Sequence, residues 1–204
     1  MSLQTEQENL KKKVLTTGIR VGTPVKTKFM QPFITQASPE GLYLLDIDII
    51  LNRIQTAAKF IKKFDINRVI IHSGRTYATT PIEKFCELTG AKKMLGRFMP
   101  GTLTNPLLPY FLEPQLMVIS DPQVDAQAVT EATNAGIPII GIANTDNVTS
   151  KLDLIIPANN RGRKSLATIY WLLATEILGE DASKTMKYEI DDFETKTADV
   201  EEEL

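Results

Sequence analysis

The sequence predicts a doubly wound α/β fold of the flavodoxin-like or Rossmann-like type, a parallel sheet with helices on both faces. Its apolar runs are short and nearly continuous, which is typical of strands buried on both sides. Segments with the periodicity of amphipathic helices lie between these runs. At 204 residues, with 43% hydrophobic and 24% charged residues, the chain is long and apolar enough to form one substantial core. We therefore expect one α/β domain.

Residues 1–40 are predicted to form a basic N-terminal arm. The stretch 14–40 mixes glycines and prolines with cations and scattered apolar residues, which disfavours long regular elements. We expect it to lie extended on the domain or on a partner. Residues 11–28 contain no carboxylate, and we expect them to be mobile in the free chain and ordered on a polyanion. Their cations are Lys11, Lys12, Lys13, Arg20, Lys26 and Lys28.

The α/β domain is predicted over residues 41–188, and its first half alternates strand and helix. The predicted strands are residues 41–47, 68–72 and 92–95. Between the first two, apolar residues at helical spacing run from Ile47 to Ile61. Thr80 is the expected N-cap of the next helix, with Glu83 completing a capping box. Gly90 is expected to end that helix.

The second half continues the same alternation. Its predicted strands are residues 116–120, 137–143 and 152–156. Asp121, followed by Pro122, is the expected cap of a helix that closes at Gly136. A final helix is predicted over residues 163–178, whose apolar residues form one stripe. Residues 189–204 hold eight carboxylates and one lysine, and we expect a disordered acidic tail.

The net charge of −2 conceals a strong segregation of charge. Residues 11–97 carry 16 Lys or Arg against six Asp or Glu, whereas residues 98–150 carry five carboxylates and no cation. For any single cation, a position on the solvated surface is a sufficient explanation. The basic segment as a whole favours a polyanionic partner, and the acidic segment is unsuited to phosphates.

No residue is assigned a catalytic role. The loops lack the glycine patterns GxGxxG and GxxxxGK[ST], which disfavours a nucleotide-phosphate site. His72 has the chemistry of a general base, but no nucleophile motif accompanies it, so a packed or loop-anchoring role is favoured. Cys86 lies on an apolar helix face, where a buried inert thiol is expected. We expect no cofactor, no metal and no small-molecule substrate.

Residues 97–106 form one candidate binding loop. Pro and Gly at positions 100 and 101 favour a tight turn, and Asn105 before a proline is a natural helix cap. An ordered turn that needs no ligand explains these residues equally well. The polar side chains of this loop that could reach a partner are Arg97, Thr102, Thr104 and Asn105.

A second candidate site lies where several strands end. Parallel strands gather their functional loops at the carboxyl edge of the sheet. The loops expected there are residues 72–75, 144–146 and 159–163. Arg161, Arg163 and Lys164 place cations at the start of the final helix, where they oppose the helix dipole unless a phosphate lies nearby. A solvated surface is the alternative.

Several segments resemble the motifs of one protein family, in the family's order. They are LTTGIRVGTPVKTKFMQPFI, EGLYLLDI, GRFMPGTLTNP, VISDPQVDAQAVTEATNAGIPIIGIANTD and IIPANNRGRKSL, and they cover about residues 14–178. The family is small-subunit ribosomal protein number two of bacteria and archaea, called ribosomal protein SA or laminin receptor precursor in eukaryotes. The bacterial coiled-coil insertion is missing, and the NTD and IPANN segments are similar to the archaeal and eukaryotic branch. The chain is identified as an archaeal-type member.

The resemblance implies a structural constituent of the small ribosomal subunit that binds ribosomal RNA and neighbouring ribosomal proteins and catalyses nothing. It also implies a cytoplasmic location, on the ribosome. The basic residues 11–97 then become the RNA-contacting half, and residues 98–150 a half that faces protein or solvent. The residues predicted to contact RNA are Lys11, Lys12, Lys13, Arg20, Lys26, Lys28, Arg75, Arg97, Thr102, Thr104, Asn105, Arg161, Arg163 and Lys164.

Two other functions stay open on the residues alone. One is a non-ribosomal small-molecule-binding α/β enzyme or sugar-binding domain, and the other is a protein-interaction module of the laminin-receptor kind. The eukaryotic branch is linked to laminin binding through the segment that corresponds to residues 156–178, and the match to that segment departs at several positions. No apolar run reaches the roughly 20 residues that span a bilayer, and the first residues lack an apolar signal core.

Overall fold

The computed structural model describes Lys11, residues 13–179 and residues 188–195. Its strands are β1 (Ile34–Ala37), β2 (Tyr43–Leu45), β3 (Val69–Ser73), β4 (Lys92–Leu95), β5 (Leu116–Ile119), β6 (Ile139–Ala143) and β7 (Leu154–Pro157). Five of them form a parallel sheet in the order β4-β3-β5-β6-β7. Numbered within the sheet, this is the order 2-1-3-4-5 of flavodoxin-like folds. The predicted doubly wound fold is confirmed.

Helices cover both faces of this sheet. They are α1 (Ile47–Ile61), α2 (Thr79–Thr89), α3 (Ala126–Asn134) and α4 (Arg163–Leu178). Leu116 and Val118 of β5 lie in a core with α1, α2 and α4, whereas Met117 and Ile119 lie in a smaller core with α3. Alternate residues of one strand therefore bury their side chains on opposite faces, which explains the continuous apolar runs. No helix in the described residues is long and apolar enough to cross a membrane.

Two of the predicted helix caps are wrong. Helix α2 begins at Thr79 after a 3-10 turn (Thr76–Ala78), so the N-cap is Ala78 without a side-chain hydrogen bond, and not Thr80. Helix α3 begins five residues after Asp121, whose Oδ1 accepts from the Gln123 backbone N–H at 3.0 Å. Helix α2 thus starts before its predicted cap, because the 3-10 turn leads directly into it, whereas a turn after Asp121 delays the start of α3.

The N-terminal segment is part of the domain core. Val14, Ile19 and Met30 have no exposed surface and pack in the core that α1, α2 and α4 share. Strands β1 and β2 form an antiparallel pair that the sequence analysis did not predict. Gly22 packs so closely that a Cβ there would lie 2.5 Å from Cγ2 of Thr145.

The C-terminal residues that the structure describes are also packed. Residues Ile190–Phe193 form a 3-10 turn, and Phe193 has no exposed surface. The indole Nε1 of Trp171 in α4 donates to the Tyr188 carbonyl at 3.2 Å. The Thr195 hydroxyl donates to the Tyr77 carbonyl at 3.0 Å. The predicted disordered tail, residues 189–204, is thus corrected for 189–195, and residues 196–204 lie outside the described part.

Replacing Phe193 with Ala should destabilise the domain by about 3 kcal/mol or more, because a fully buried ring leaves a cavity. Unfolding in urea measures this, followed through the fluorescence of Trp171, the chain's single tryptophan. The matched control is Phe29→Ala, since Phe29 is 54% exposed and its loss should change stability by about 0.5 kcal/mol or less. Equal effects of the two variants would show that the C-terminal turn does not stabilise the fold.

Candidate functional site at the carboxyl edge of the sheet

The loops predicted to meet at the carboxyl edge do meet there. They follow β3, β6 and β7, and hydrogen bonds link the loops after β6 and β7 to the N-terminal segment. The backbone N–H of Thr27 donates to the Thr145 carbonyl at 2.9 Å, and that of Asn159 donates to the Ile19 carbonyl at 2.8 Å. The N-terminal segment therefore adds its own cations to this edge.

A buried carboxylate after β5 joins the loops that follow β3 and β6. Asp121, after β5, has no exposed surface, and its Oδ2 accepts from Arg75 Nε at 2.7 Å and from Nη2 at 2.5 Å. Its Oδ1 accepts from Nδ2 of Asn147 at 3.3 Å. Burying a charge is costly unless it is paired and hydrogen-bonded, and here Arg75 supplies the pairing. Arg75, predicted to contact RNA, therefore has a structural partner.

Asparagines extend this network to the loop after β7. Oδ1 of Asn147 accepts from the Asn144 backbone N–H at 2.6 Å and from Nδ2 of Asn160 at 3.1 Å. The Asn160 amide also donates to the Ile142 carbonyl at 3.1 Å. Asn147, directly after the NTD segment, and Asn160 of the IPANN segment are buried, and they hold these loops together. We call the connected set Arg75, Asp121, Asn147 and Asn160 the edge network.

His72 lies at the point where the strand order of the sheet reverses, between β3 and β5. Its ring is fully buried, with Nδ1 2.9 Å from the Met94 carbonyl oxygen. Nε2 lies 3.2 Å from Oδ1 of Asp125, outside hydrogen-bond geometry, and that oxygen accepts from the Gly74 N–H at 2.9 Å. Flavodoxin-like sheets bind ligands in this crevice. Here His72 and Asp125 are buried, and a cavity of about 420 Å³ remains beside them, lined by Gly74, Arg97 and Val124 among others. His72 anchors loops, as the sequence favoured.

The thiol of Cys86 is poorly suited to chemistry. Burial raises the pKa of this thiol to about 12, so the nucleophilic thiolate does not form near neutral pH. Burial likewise raises the pKa of Tyr170, whose hydroxyl lies 2.7 Å from Oγ of Ser120. Both groups belong to the packed interior, in line with the sequence-based interpretation of Cys86.

The candidate loop at residues 97–106 is held by a carboxylate that the sequence analysis did not single out. Glu131 of α3 is buried and accepts from the Gly101 N–H at 2.8 Å and the Leu103 N–H at 3.3 Å. Thr102 is buried, and its hydroxyl donates to the Met99 carbonyl at 2.6 Å. The signal that could have found Glu131 is its place on an otherwise apolar helix face.

The exposed part of this loop is a turn and not the start of a helix. Oδ1 of Asn105 accepts from the Leu107 N–H at 3.1 Å, and no helix follows, so the predicted helix cap is wrong. The side chains of Thr104 and Asn105 are exposed, whereas that of Thr102 is not. The Thr102 hydroxyl, predicted to contact RNA, is therefore not available to a partner.

Most carboxylates of residues 98–150 are used inside the protein. Asp121, Asp125 and Glu131 are buried and accept hydrogen bonds from loop residues, and Oδ2 of Asp146 lies 2.5 Å from Arg161. Glu113 is exposed. This segment is acidic in sequence, but few of its carboxylates are exposed to a partner, because most of them are buried as acceptors for loop donors.

Of the predicted RNA-contacting cations, all but Lys12 and Arg20 fall into two groups. In the first, Arg75 pairs with Asp121, Arg161 with Asp146, and Lys11 with Asp48 at 2.6 Å. Arg163 lies over the ring of Tyr77 and Lys26 over that of Tyr43, with 5.9 and 4.8 Å to the ring centroids. The second group is exposed and forms no ion pair with the described residues; it consists of Lys13, Lys28, Arg97 and Lys164. Arg20 is half-buried, and Lys12 lies outside the described residues.

Cations from distant parts of the chain converge around the loop after β6. Thr27 bonds to one side of this loop, through Thr145 and Asn147, and Arg161 pairs with Asp146 in the same loop. We define the carboxyl-edge surface by the cations that these contacts bring together. They are Lys26, Lys28, Arg161, Arg163 and Lys164.

Comparisons with known proteins decide the family. A family model described as ribosomal protein S2 matches residues 111–179. The small ribosomal subunit protein uS2 of Nitrosopumilus maritimus is 68% identical over 205 residues, which cover 98% of this chain and 99% of that protein. The chain belongs to the ribosomal protein S2 family. The uS2 proteins of Cenarchaeum symbiosum and Thermofilum pendens are 59% and 55% identical, covering 95% and 80% of this chain and 95% and 77% of their own lengths. The predicted archaeal-type membership in the S2 family is confirmed.

The edge network should contribute to stability independently of any RNA. Arg75→Ala should lower the free energy of unfolding by about 3 kcal/mol or more, because it leaves the buried Asp121 carboxylate unpaired. Arg97→Ala removes the same kind of side chain from an exposed position and should cost about 0.5 kcal/mol or less. Urea unfolding of the two variants measures the difference. Equal stabilities would contradict a structural role for the Arg75 side chain.

Proposed function

We propose that this protein is a structural constituent of the small ribosomal subunit, in contact with ribosomal RNA and neighbouring ribosomal proteins. The observation that carries the proposal is 68% identity, over 98% of the chain, to a protein named as a small-subunit component. The expected location is the ribosome, in the cytoplasm. We propose no catalytic activity, because membership in a ribosomal protein family implies a structural role.

For the RNA contact we propose the carboxyl-edge surface. Phosphates attract cations that are exposed and free of internal carboxylate partners. Lys28 and Lys164 meet this description, and Lys26 needs only to leave the face of Tyr43. Arg161 can share its guanidinium between Asp146 and a phosphate, since five donors are available to it.

The start of helix α4 supports this choice. Its N-cap is Gly162, which provides no side-chain acceptor, and the first turn contains no acidic residue. The N-terminus of a helix carries a partial positive charge and unsatisfied N–H groups, and both favour an anion. Arg163 and Lys164 add two more positive charges at this point. A phosphate bound here would relieve the repulsion among these positive charges.

Other exposed cations have an explanation within the protein. Lys59, Lys62 and Lys63 lie at the C-terminal end of helix α1, where cations stabilise the helix dipole. This end of α1 leads into the first residue of β3, at the amino edge of the sheet. The two lysine groups therefore lie at opposite edges of the same sheet, and they make a matched pair for an experiment.

Replacing Lys26, Lys28 and Lys164 with Gln in one variant should weaken binding to small-subunit ribosomal RNA. The slope of log affinity against log salt should become shallower by about 2, because each phosphate contact contributes about 0.7 to 0.9. The control variant carries Lys59→Gln, Lys62→Gln and Lys63→Gln, which changes the net charge equally. Its slope and affinity should stay near those of the unchanged protein. Affinities measured from low to high KCl, with melting temperatures as a folding check, give the comparison.

Two results would contradict this proposal. If both variants lose affinity equally, binding depends on net charge and not on the carboxyl-edge surface. If only the control variant loses affinity, the RNA contacts the amino edge of the sheet. A chain that shows no salt-dependent binding to the RNA and does not sediment with small subunits would contradict the ribosomal function itself.

A further inference from the structure

The connection between β4 and β5 is the longest connection of this sheet that contains no helix. It spans residues 96–115 and contains only turns. The connections from β3 to β4 and from β5 to β6 instead contain helices α2 and α3. Phe98 and Leu103 are buried in the smaller core beside α3, so the loop takes the place of a helix on that face. Ordered loops of this length in a compact domain commonly serve a function.

This loop exposes large apolar side chains to solvent. Leu107 is 91% exposed, Met99 52% and Tyr110 39%. The prolines at positions 100, 106 and 109 are exposed beside them. Single exposed hydrophobic residues are ordinary on protein surfaces. Three within one ordered loop, together with exposed prolines, indicate a contact surface.

The loop is held in its shape without a partner. Glu131 binds two of its backbone N–H groups, and the Leu112 N–H donates to the Thr102 carbonyl at 2.9 Å, which closes the base. At the tip, Asn105 fixes the turn through the Leu107 N–H. A surface that is already ordered loses little conformational entropy when it binds.

The chemistry of the loop suits protein and not RNA. Arg97, at the start of the loop, is its one Lys or Arg; residues 98–115 offer no cation to a phosphate. The backbone N–H groups of Thr104 and Asn105 both donate to the Gly101 carbonyl, and those of Leu107 and Leu108 donate to Asn105. Groups already used in this way do not form an anion-binding nest.

Charged side chains border the loop, Arg97 at its start and Glu113 at its end, and Glu113 suits a basic group on a partner. Glu113 is exposed and forms no ion pair with the described residues. We propose that residues 99–111 are the docking surface for a neighbouring ribosomal protein, whose apolar side chains cover Leu107 and whose basic rim faces Glu113. This inference rests on the proposed function and concerns a surface distinct from the carboxyl-edge surface.

Crosslinking in assembled particles tests the partner directly. The photo-reactive residue p-benzoylphenylalanine is introduced in place of Leu107 in the full chain, and in a second variant in place of Lys28. Small subunits that contain each variant are purified and irradiated, and the adducts are identified by mass spectrometry. The variant labelled at position 107 should crosslink to a ribosomal protein, and the variant labelled at position 28 to ribosomal RNA.

The two positions separate failure of this inference from failure of the proposed function. RNA adducts or no adducts at position 107, with RNA adducts at position 28, would overturn the docking surface and leave the RNA proposal in place. A protein adduct at position 107 without an RNA adduct at position 28 would support docking and contradict the carboxyl-edge surface.

Measuring incorporation into small subunits tests the docking surface quantitatively. Leu107→Asp should weaken incorporation into small subunits stripped of this protein by at least about tenfold, as expected of a central apolar contact. Its affinity for protein-free ribosomal RNA and its melting temperature should stay unchanged. Leu15→Asp makes the same substitution at a residue 39% exposed outside the loop and serves as the matched control. Equal incorporation of Leu107→Asp and the unchanged chain would overturn the docking surface.

Discussion

The structure depends on the pairing of the buried Asp121 carboxylate with Arg75 and Asn147. All five strands of the sheet end at the same edge, so their loops compete for one small region and must satisfy each other's polar groups. The edge network does this by joining the loops after β3, β5, β6 and β7. A buried charge without its partner costs several kcal/mol, so these loops have one favourable arrangement. That arrangement sets where the exposed cations of the carboxyl edge lie.

The same residue types therefore have opposite roles inside and outside. Asp121, Asp125 and Glu131 are buried and accept hydrogen bonds from loop donors. Their burial removes negative charge from the surface of residues 98–150. Lys28 and Lys164 keep their charge in solvent. A chain with a formal charge of −2 thus presents a basic edge and a nearly neutral apolar loop. Net charge alone is a poor guide to its partners, because burial decides which charges a partner meets.

Both described ends of the chain stabilise the larger of the two cores. Val14 and Ile19 from the N-terminal segment and Phe193 from the C-terminal turn are buried together with helices α1, α2 and α4. The N-terminal segment then crosses to the carboxyl edge, where Thr145 binds Thr23 through its hydroxyl at 2.9 Å and Thr27 through its carbonyl. The packing of the N-terminal segment therefore places its cations on the carboxyl-edge surface. The same contacts link the stability of the domain to the position of its proposed RNA-binding residues.

The sequence by itself determined the α/β alternation, most strand and helix positions and the gathering of three loops at one edge. Those features depend on local signals, such as apolar periodicity and the left-handed Gly90 that ends α2. Motif resemblance also indicated the family. Only the tertiary structure decided what each polar residue does. Arg75 and Asp121 are 46 residues apart, and Gly101 and Glu131 are 30 apart, so nothing local distinguishes these structural partners from ligand-binding residues. The sequence likewise could not predict the burial of both chain ends and of Thr102, or the exposed loop surface around Leu107. Burial depends on contacts between distant segments.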